Sequence, residues 1–217
     1  MELPEWTGRA RRAERPVLEV GFLVWEDFYY GPVTDYTAEQ RQTLREPLHQ
    51  PALPFYHRHV NYALTSVLER STGELVLHYQ DAIRLAEKHG MPVPRSHFWI
   101  SPFILFRDGA AIPFSEAETR EYAEHVLSAL ETPGEGEIFY GCEQGWEVTV
   151  VAAADRLYVR HADFDTQQEI ACLWCDRGEL VRQASPLRAR LNAILAELER
   201  ALGADYWSEE PDPPGTE

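Results

Sequence analysis

The pattern of apolar runs predicts an α+β domain built on antiparallel sheet, with a four-strand C-terminal meander packed by a long C-terminal helix. Three observations predict it. Residues 137–175 divide into four short strand-like runs joined by short polar turns, which is the spacing of an antiparallel meander. Leu187, Leu191, Ile194, Leu195, Leu198 and Leu202 then form a stripe at helical spacing that stops at Gly203. Across the chain, strands and helices come in blocks rather than in strict βαβ alternation.

Taken in order, residues 1–16 read as a flexible arm that ends at Pro16. Val17 to Trp25 is apolar nearly throughout and rich in Val, Leu and Phe, which predicts a buried strand. Aromatic residues and acids mix from Trp25 to Tyr36, and Thr37 is placed to cap a short helix from Ala38 to Arg45. Between Tyr56 and Arg70, the spacing of Val60, Leu64, Val67 and Leu68 predicts a helix, although the β-branched and aromatic content also permits a strand. A clearer helix opens at Thr72-Gly73-Glu74 and stops at Gly90, with Leu75, Val76, Tyr79, Ile83 and Ala86 turned inward.

His97 to Phe106 reads as a strand, and Asp108-Gly109 as the turn of a hairpin returning through Ala110 to Phe114. Ser115 with Glu118 predicts a capping box for a helix reaching about Leu130. Thr132-Pro133-Gly134-Glu135-Gly136 is the best candidate linker, so residues 17–207 form one domain or two sub-modules meeting near 132–136. The meander follows as Glu137–Cys142, Trp146–Ala152, Arg156–His161 and Glu169–Cys175. Ser185-Pro186 predicts the start of the last helix, and residues 208–217, acidic and Pro-rich, a disordered tail.

Composition narrows the function classes. With 44% hydrophobic residues, the 217-residue chain can bury a substantial core. Its formal charge of −16 repels nucleic acid and anionic membranes while attracting basic partners, although acidity also serves solubility. No apolar stretch approaches the ~18 residues of a membrane span. Three cysteines, Cys142, Cys172 and Cys175, do not make a disulfide scaffold and suit a reducing cytoplasm.

Motifs for catalysis are weak. His57-Arg58-His59 brings two imidazoles to one face only in an extended segment, and His49 and His78 are further conceivable ligands; the helical His spacing of common zinc sites is missing. Cys172-x-x-Cys175 falls inside a predicted strand, so its thiols point to opposite faces, and one or both read as small buried side chains. Asp163-Phe164-Asp165 reads as a polar turn rather than a cation site. No nucleophile elbow, phosphate loop or dinucleotide fingerprint is present, and neither cofactor nor metal is expected.

Two surfaces stand out for binding. Residues 108–147 hold ten acids, among them Glu116, Glu118, Glu121 and Glu124, against Arg120 alone, which predicts a face tuned to a cationic surface. Trp25, Asp27, Tyr29, Tyr30 and Tyr36 place aromatic rings beside acids, the mixture that supplies binding energy at protein interfaces. The alternative for the rings is that half of them fold back on the core.

The size, acidity, block order and missing catalytic motif resemble those of immunity proteins of bacterial polymorphic-toxin systems, most of all over residues 137–207. That resemblance implies a small cytoplasmic protein that occludes the active surface of a cognate toxin, often a basic nuclease. The expectation is therefore a non-enzymatic inhibitor of a basic protein. The alternatives are a metal-assisted hydrolase using His57 and His59, or a structural or regulatory subunit of a complex.

Overall fold

The computed structural model describes residues 3–32, 37–52, 55–58, 62–66, 72–106, 111–115, 118–143 and 145–208, with the backbone alone for 55–58 and 62–66. The chain is α+β. One sheet contains β1 (Arg11–Arg12), β9 (Gly136–Glu143), β10 (Trp146–Ala153), β11 (Arg156–Asp163) and β12 (Glu169–Asp176), in the order β1-β12-β11-β10-β9. A second sheet has the order β5-β6-β2-β7-β8, from β2 (Val17–Trp25), β5 (Phe55–Arg58), β6 (Tyr62–Ser66), β7 (Ile100–Leu105) and β8 (Ala111–Pro113). A small ribbon joins β3 (Asp27–Tyr29) to β4 (Arg45–Pro47). The helices are α1 (Ala38–Thr43), α2 (Thr72–Lys88), α3 (Arg120–Glu131) and α4 (Arg177–Leu202).

The meander forms as its alternation predicts. Val148, Val150, Leu157, Val159, Leu173 and Cys175 enter the core, while the residues between them face outward. β2 is buried on both faces, so it reads as a continuous apolar run. Leu18, Val20, Phe22 and Val24 join the main core, whereas Leu23 packs with Phe103 on the far side. Helix α4 packs against β2 of one sheet and against β11 and β12 of the other. One hydrophobic cluster thus collects side chains from both sheets and from α2, α3 and α4. Each fully buried Leu or Phe in it stabilises the fold by roughly 1.5–3 kcal/mol.

Four local expectations are corrected. Residues 55–58 and 62–66 are strands, with β6 paired along β2 from Gly21 to Trp25; the strand edge offered by β2 outweighs a helical spacing that never gained a cap. Helix α3 is capped by Thr119, whose hydroxyl accepts from Tyr122 N at 3.5 Å. Ser115 is instead buried, and its carbonyl accepts from Ser101 Oγ at 2.5 Å. Helix α4 begins two turns earlier than Ser185-Pro186. Asp176 caps it by accepting from Glu179 N at 2.9 Å, Leu180 and Ala184 extend the apolar stripe, and Pro186 lies inside the helix. Residues 5–13, expected as a loose arm, lie along β12. Arg11 and Arg12 pair parallel with Leu173 and Trp174, and Arg9 meets Glu169 at 3.0 Å.

The Asp108-Gly109 turn lies outside the described residues, but the strands it joins pair antiparallel, Ile104 opposite Ile112. No described helix is long and apolar enough to cross a membrane.

Candidate functional site

The aromatic segment after β2 folds back on the protein. Trp25 is half-buried and its indole N–H donates to Ser96 O at 2.9 Å. Phe28 is buried. Tyr30 stacks on His89 at 3.8 Å and donates its hydroxyl to Thr43 O. Tyr29 donates to Pro32 O, and Asp27 pairs with Arg45 at 2.6 Å. The polar tips of these rings are satisfied internally, which leaves mainly ring edges for a partner. Tyr36 lies outside the described residues.

The acidic stretch also changes character in three dimensions. Arg188 of α4 reaches both Glu124 and Glu131, at 2.6 and 2.8 Å. Arg160 of β11 pairs with Glu147 at 2.6 Å, and Glu135 accepts from Ala154 N. The balancing cations therefore come from further along the chain, Arg160 13 residues beyond Glu147 and Arg188 57 to 64 residues beyond Glu131 and Glu124. Glu118 bridges its backbone to Ile100, Glu121 is exposed, and Glu116 lies outside the described residues.

A third surface, which local sequence reading missed, is the outward face of the meander. Tyr140 stands opposite Thr149, Thr149 opposite Arg160, and Arg160 opposite Cys172. In the next row Val151, Tyr158 and Trp174 align, with Arg12 and Arg156 over the Trp174 ring at 5.5 and 4.3 Å. Glu147 sits among them, accepting from Tyr140 Oη at 3.2 Å and from Arg160, while Arg160 also donates to Gln167 Oε1. Burial of this carboxylate is thereby compensated from two sides. Helices α3 and α4 meet the sheet from its other face. The N-terminal turn reaches the outer face, setting Trp6 O against Cys172 Sγ at 3.5 Å, and Arg12 of β1 lies over Trp174 there. Five large apolar side chains of the described residues are exposed, and three of them, Tyr140, Phe164 and Ile170, belong to this sheet or its turn. The signal that could have found this face was the alternation itself: its outward positions hold Tyr, Trp and Arg instead of Lys and Ser.

The cysteines behave as the strand reading expects. Cys175 is in the core, where burial pushes its thiol up to about 12, and Cys172 is on the opposite face, its thiol also raised by desolvation. Neither has the lowered value of a redox thiol. Asp163 organises its turn by accepting from Thr166 N and Oγ1, both at 2.7 Å, and those bonds hold its carboxyl below the usual range. His57 lies in β5 with its side chain outside the described part, and His59 is outside it altogether. Among the described residues, no three His, Cys, Asp or Glu side chains are placed to hold a metal ion.

Two other histidines are buried with unpartnered nitrogens. His78 Nδ1–H donates to His49 O at 2.7 Å, because a carbonyl oxygen can only accept; Nε2 has no hydrogen-bond partner among the described residues. His97 lies between Trp25 and Phe28, with ring centroids 5.3 and 5.5 Å away, and its Nδ1 is likewise unpartnered. Desolvation lowers His78 to about 4 and His97 to about 3. No protein-family model, curated protein or solved structure matches the chain.

Proposed function

We propose that this protein is a non-enzymatic binding protein of the immunity type, which neutralises a basic protein partner by covering its active surface. The observation that carries this reading is the outward face of the meander. Neither α3 nor α4 lies over this sheet face; Glu147, Thr149, Val151 and Tyr158 at its centre are buried, and around them it presents Tyr140, Trp174, Arg12, Arg156 and Ile170, with the Tyr, Trp and Arg types that dominate binding energy at interfaces. Tyr140 and Ile170 supply apolar contact at 50% and 59% exposure. Arg12 and Arg156 are preorganised on Trp174, which limits the ordering cost of binding. The net charge of −16 accelerates encounter with a cationic partner without setting the final contacts.

The test is co-purification from the natural host at low salt, comparing the tagged protein with a Tyr140→Ala/Ile170→Asp variant and with Leu77→Asp, an exposed apolar position on α2. The expected result is a stoichiometric basic protein that is released by salt, lost with the double variant and retained with Leu77→Asp. Equal recovery by all three, or recovery of no protein in stoichiometric amount, overturns the reading.

A further inference from the structure

Four histidines lie in a single seam, where the β3–β4 ribbon and the residues after it dock on α2 and on the turn Arg95–Phe98. His97 is packed between Trp25 and Phe28. His78 holds His49 O. His89 stacks on Tyr30 and meets Glu46 at 2.7 Å, and His49 meets Glu74 at 3.2 Å. Apolar adhesion in the seam is slight. Phe28 and Leu48 pack with Ala82, Leu85 and Ala86 of α2 in a small cluster separate from the main core. Segments held by few buried apolar contacts are those that open locally before the global transition.

We propose that the β3–β4 ribbon is an acid-released flap: protonation of the buried His78 and His97 lifts it from α2 while both sheets and α4 stay folded. Charging either imidazole in place is costly. The unpartnered nitrogen of each is buried with no acceptor facing it among the described residues, and His78 opposes charge on His97. Lifting the ribbon removes His49 O from His78 and Phe28 from one side of His97, so both rings reach solvent and charge at their ordinary value near 6.5.

The surrounding charges set the direction. Asp81, which pairs with Arg84 and accepts from His49 N, favours charge on His78, while His49 opposes it. The rim pairs hold through the same pH range. Lys88 and His89 keep Glu46 below the usual carboxylate range, and His49 does so for Glu74. Asp27 and Arg45 pair within the ribbon and move with it. The contacts of His89 with Glu46 and of His49 with Glu74 work against release, so the buried pair must supply it. Arg95, at the start of the turn carrying His97, is engaged with Ser208 O, and the neighbouring Tyr79 hydroxyl stays neutral, its ionisation raised by burial.

With folded values near 4 and 3 and a released value near 6.5, lowering the pH from 7 to 5 raises the opening constant about 20-fold for each ring, roughly 500-fold for both. Opening exposes Phe28, Leu48 and the strip Ala82, Leu85 and Ala86, an apolar surface hidden at neutral pH. The inference stands independently of the partner proposed above.

Hydrogen exchange of the full chain at pH 7, 6 and 5, corrected for intrinsic rates, tests it. Amides of residues 27–30, 44–46 and 48 are expected to lose protection by about 20-fold or more while those of β10 and β11 keep theirs. His97→Phe retains a ring between Trp25 and Phe28 and is expected to remove about 20-fold of the pH effect. Protection of the ribbon that does not change with pH, or that falls together with β10 and β11, overturns the proposal on the wild-type protein alone; so does an undiminished pH effect in folded His97→Phe.

Discussion

Trp207 closes the core from beyond the end of α4, and removing it is the sharpest test of how the fold is held. Its ring is 1% exposed. It stands edge-on to Phe22 of β2 at 6.1 Å, to Tyr79 of α2 at 5.2 Å and to Phe98 at 5.4 Å, so one side chain joins a sheet, a helix and the turn before β7. Its carbonyl accepts from Arg120 N at 2.9 Å at the start of α3, and the Arg95 guanidinium meets the next carbonyl. Truncating a fully buried Trp to Ala costs about 3–5 kcal/mol in lost transfer energy and cavity. Three edge-to-face partners put this site at the upper end of that range. Total stability of a domain is about 5–15 kcal/mol, so the loss is a large fraction of it. Urea denaturation followed by circular dichroism should show Trp207→Ala with an unchanged slope. For a slope of about 2–3 kcal/mol/M, its midpoint falls by roughly 1.5–2 M. A chain cut after Asp205 should fall at least as far, and Trp207→Phe by less than half as much. A midpoint within about 0.3 M of the parent in the cut chain would refute the assignment of Trp207 to the core.

Two further outcomes are expected. Arg160→Ala strands the Glu147 carboxylate, 9% exposed at its side chain, and should cost about 2–3 kcal/mol, whereas Glu147→Gln/Arg160→Met should lie within about 1 kcal/mol of the parent; urea denaturation of both variants measures the difference, and equal losses would refute the pairing. Thiol labelling at pH 8 should modify Cys142 first, Cys172 more slowly and Cys175 only on unfolding. The order follows exposure and the raised thiols of the latter two, and rapid labelling of Cys175 in the folded protein would contradict its place under α4.

Much of the fold was legible because it rests on local rules. The four strands from Gly136 to Asp176 follow from alternation, β2 from an unbroken apolar run, and α2 from an apolar stripe that ends at Gly90, with φ 65°. Gly203, with φ 81°, ends α4 as expected, because a left-handed residue there incurs little strain only in glycine. The α+β class and the packing of α4 on the meander needed nothing more than these patterns.

Other features depended on residues far apart in the chain, and no window of sequence contains them. Residues 62–66 pair with β2 because a strand edge was available there, which their helical spacing does not disclose. Ser185-Pro186 has the chemistry of a helix start, yet Asp176 supplied an earlier cap and both sheets held the helix straight through. The excess of acid between residues 108 and 147 looked like a free anionic face until Arg160 and Arg188 arrived from β11 and α4. Likewise, Trp25, Tyr29 and Tyr30 bear interface chemistry, but where their polar tips bond is decided by Ser96, Pro32 and Thr43. Composition and periodicity thus determine which residues can be buried, because that depends on side-chain type and spacing alone. Which charges remain for a partner is decided by the tertiary structure, because ion pairing depends on distance in space.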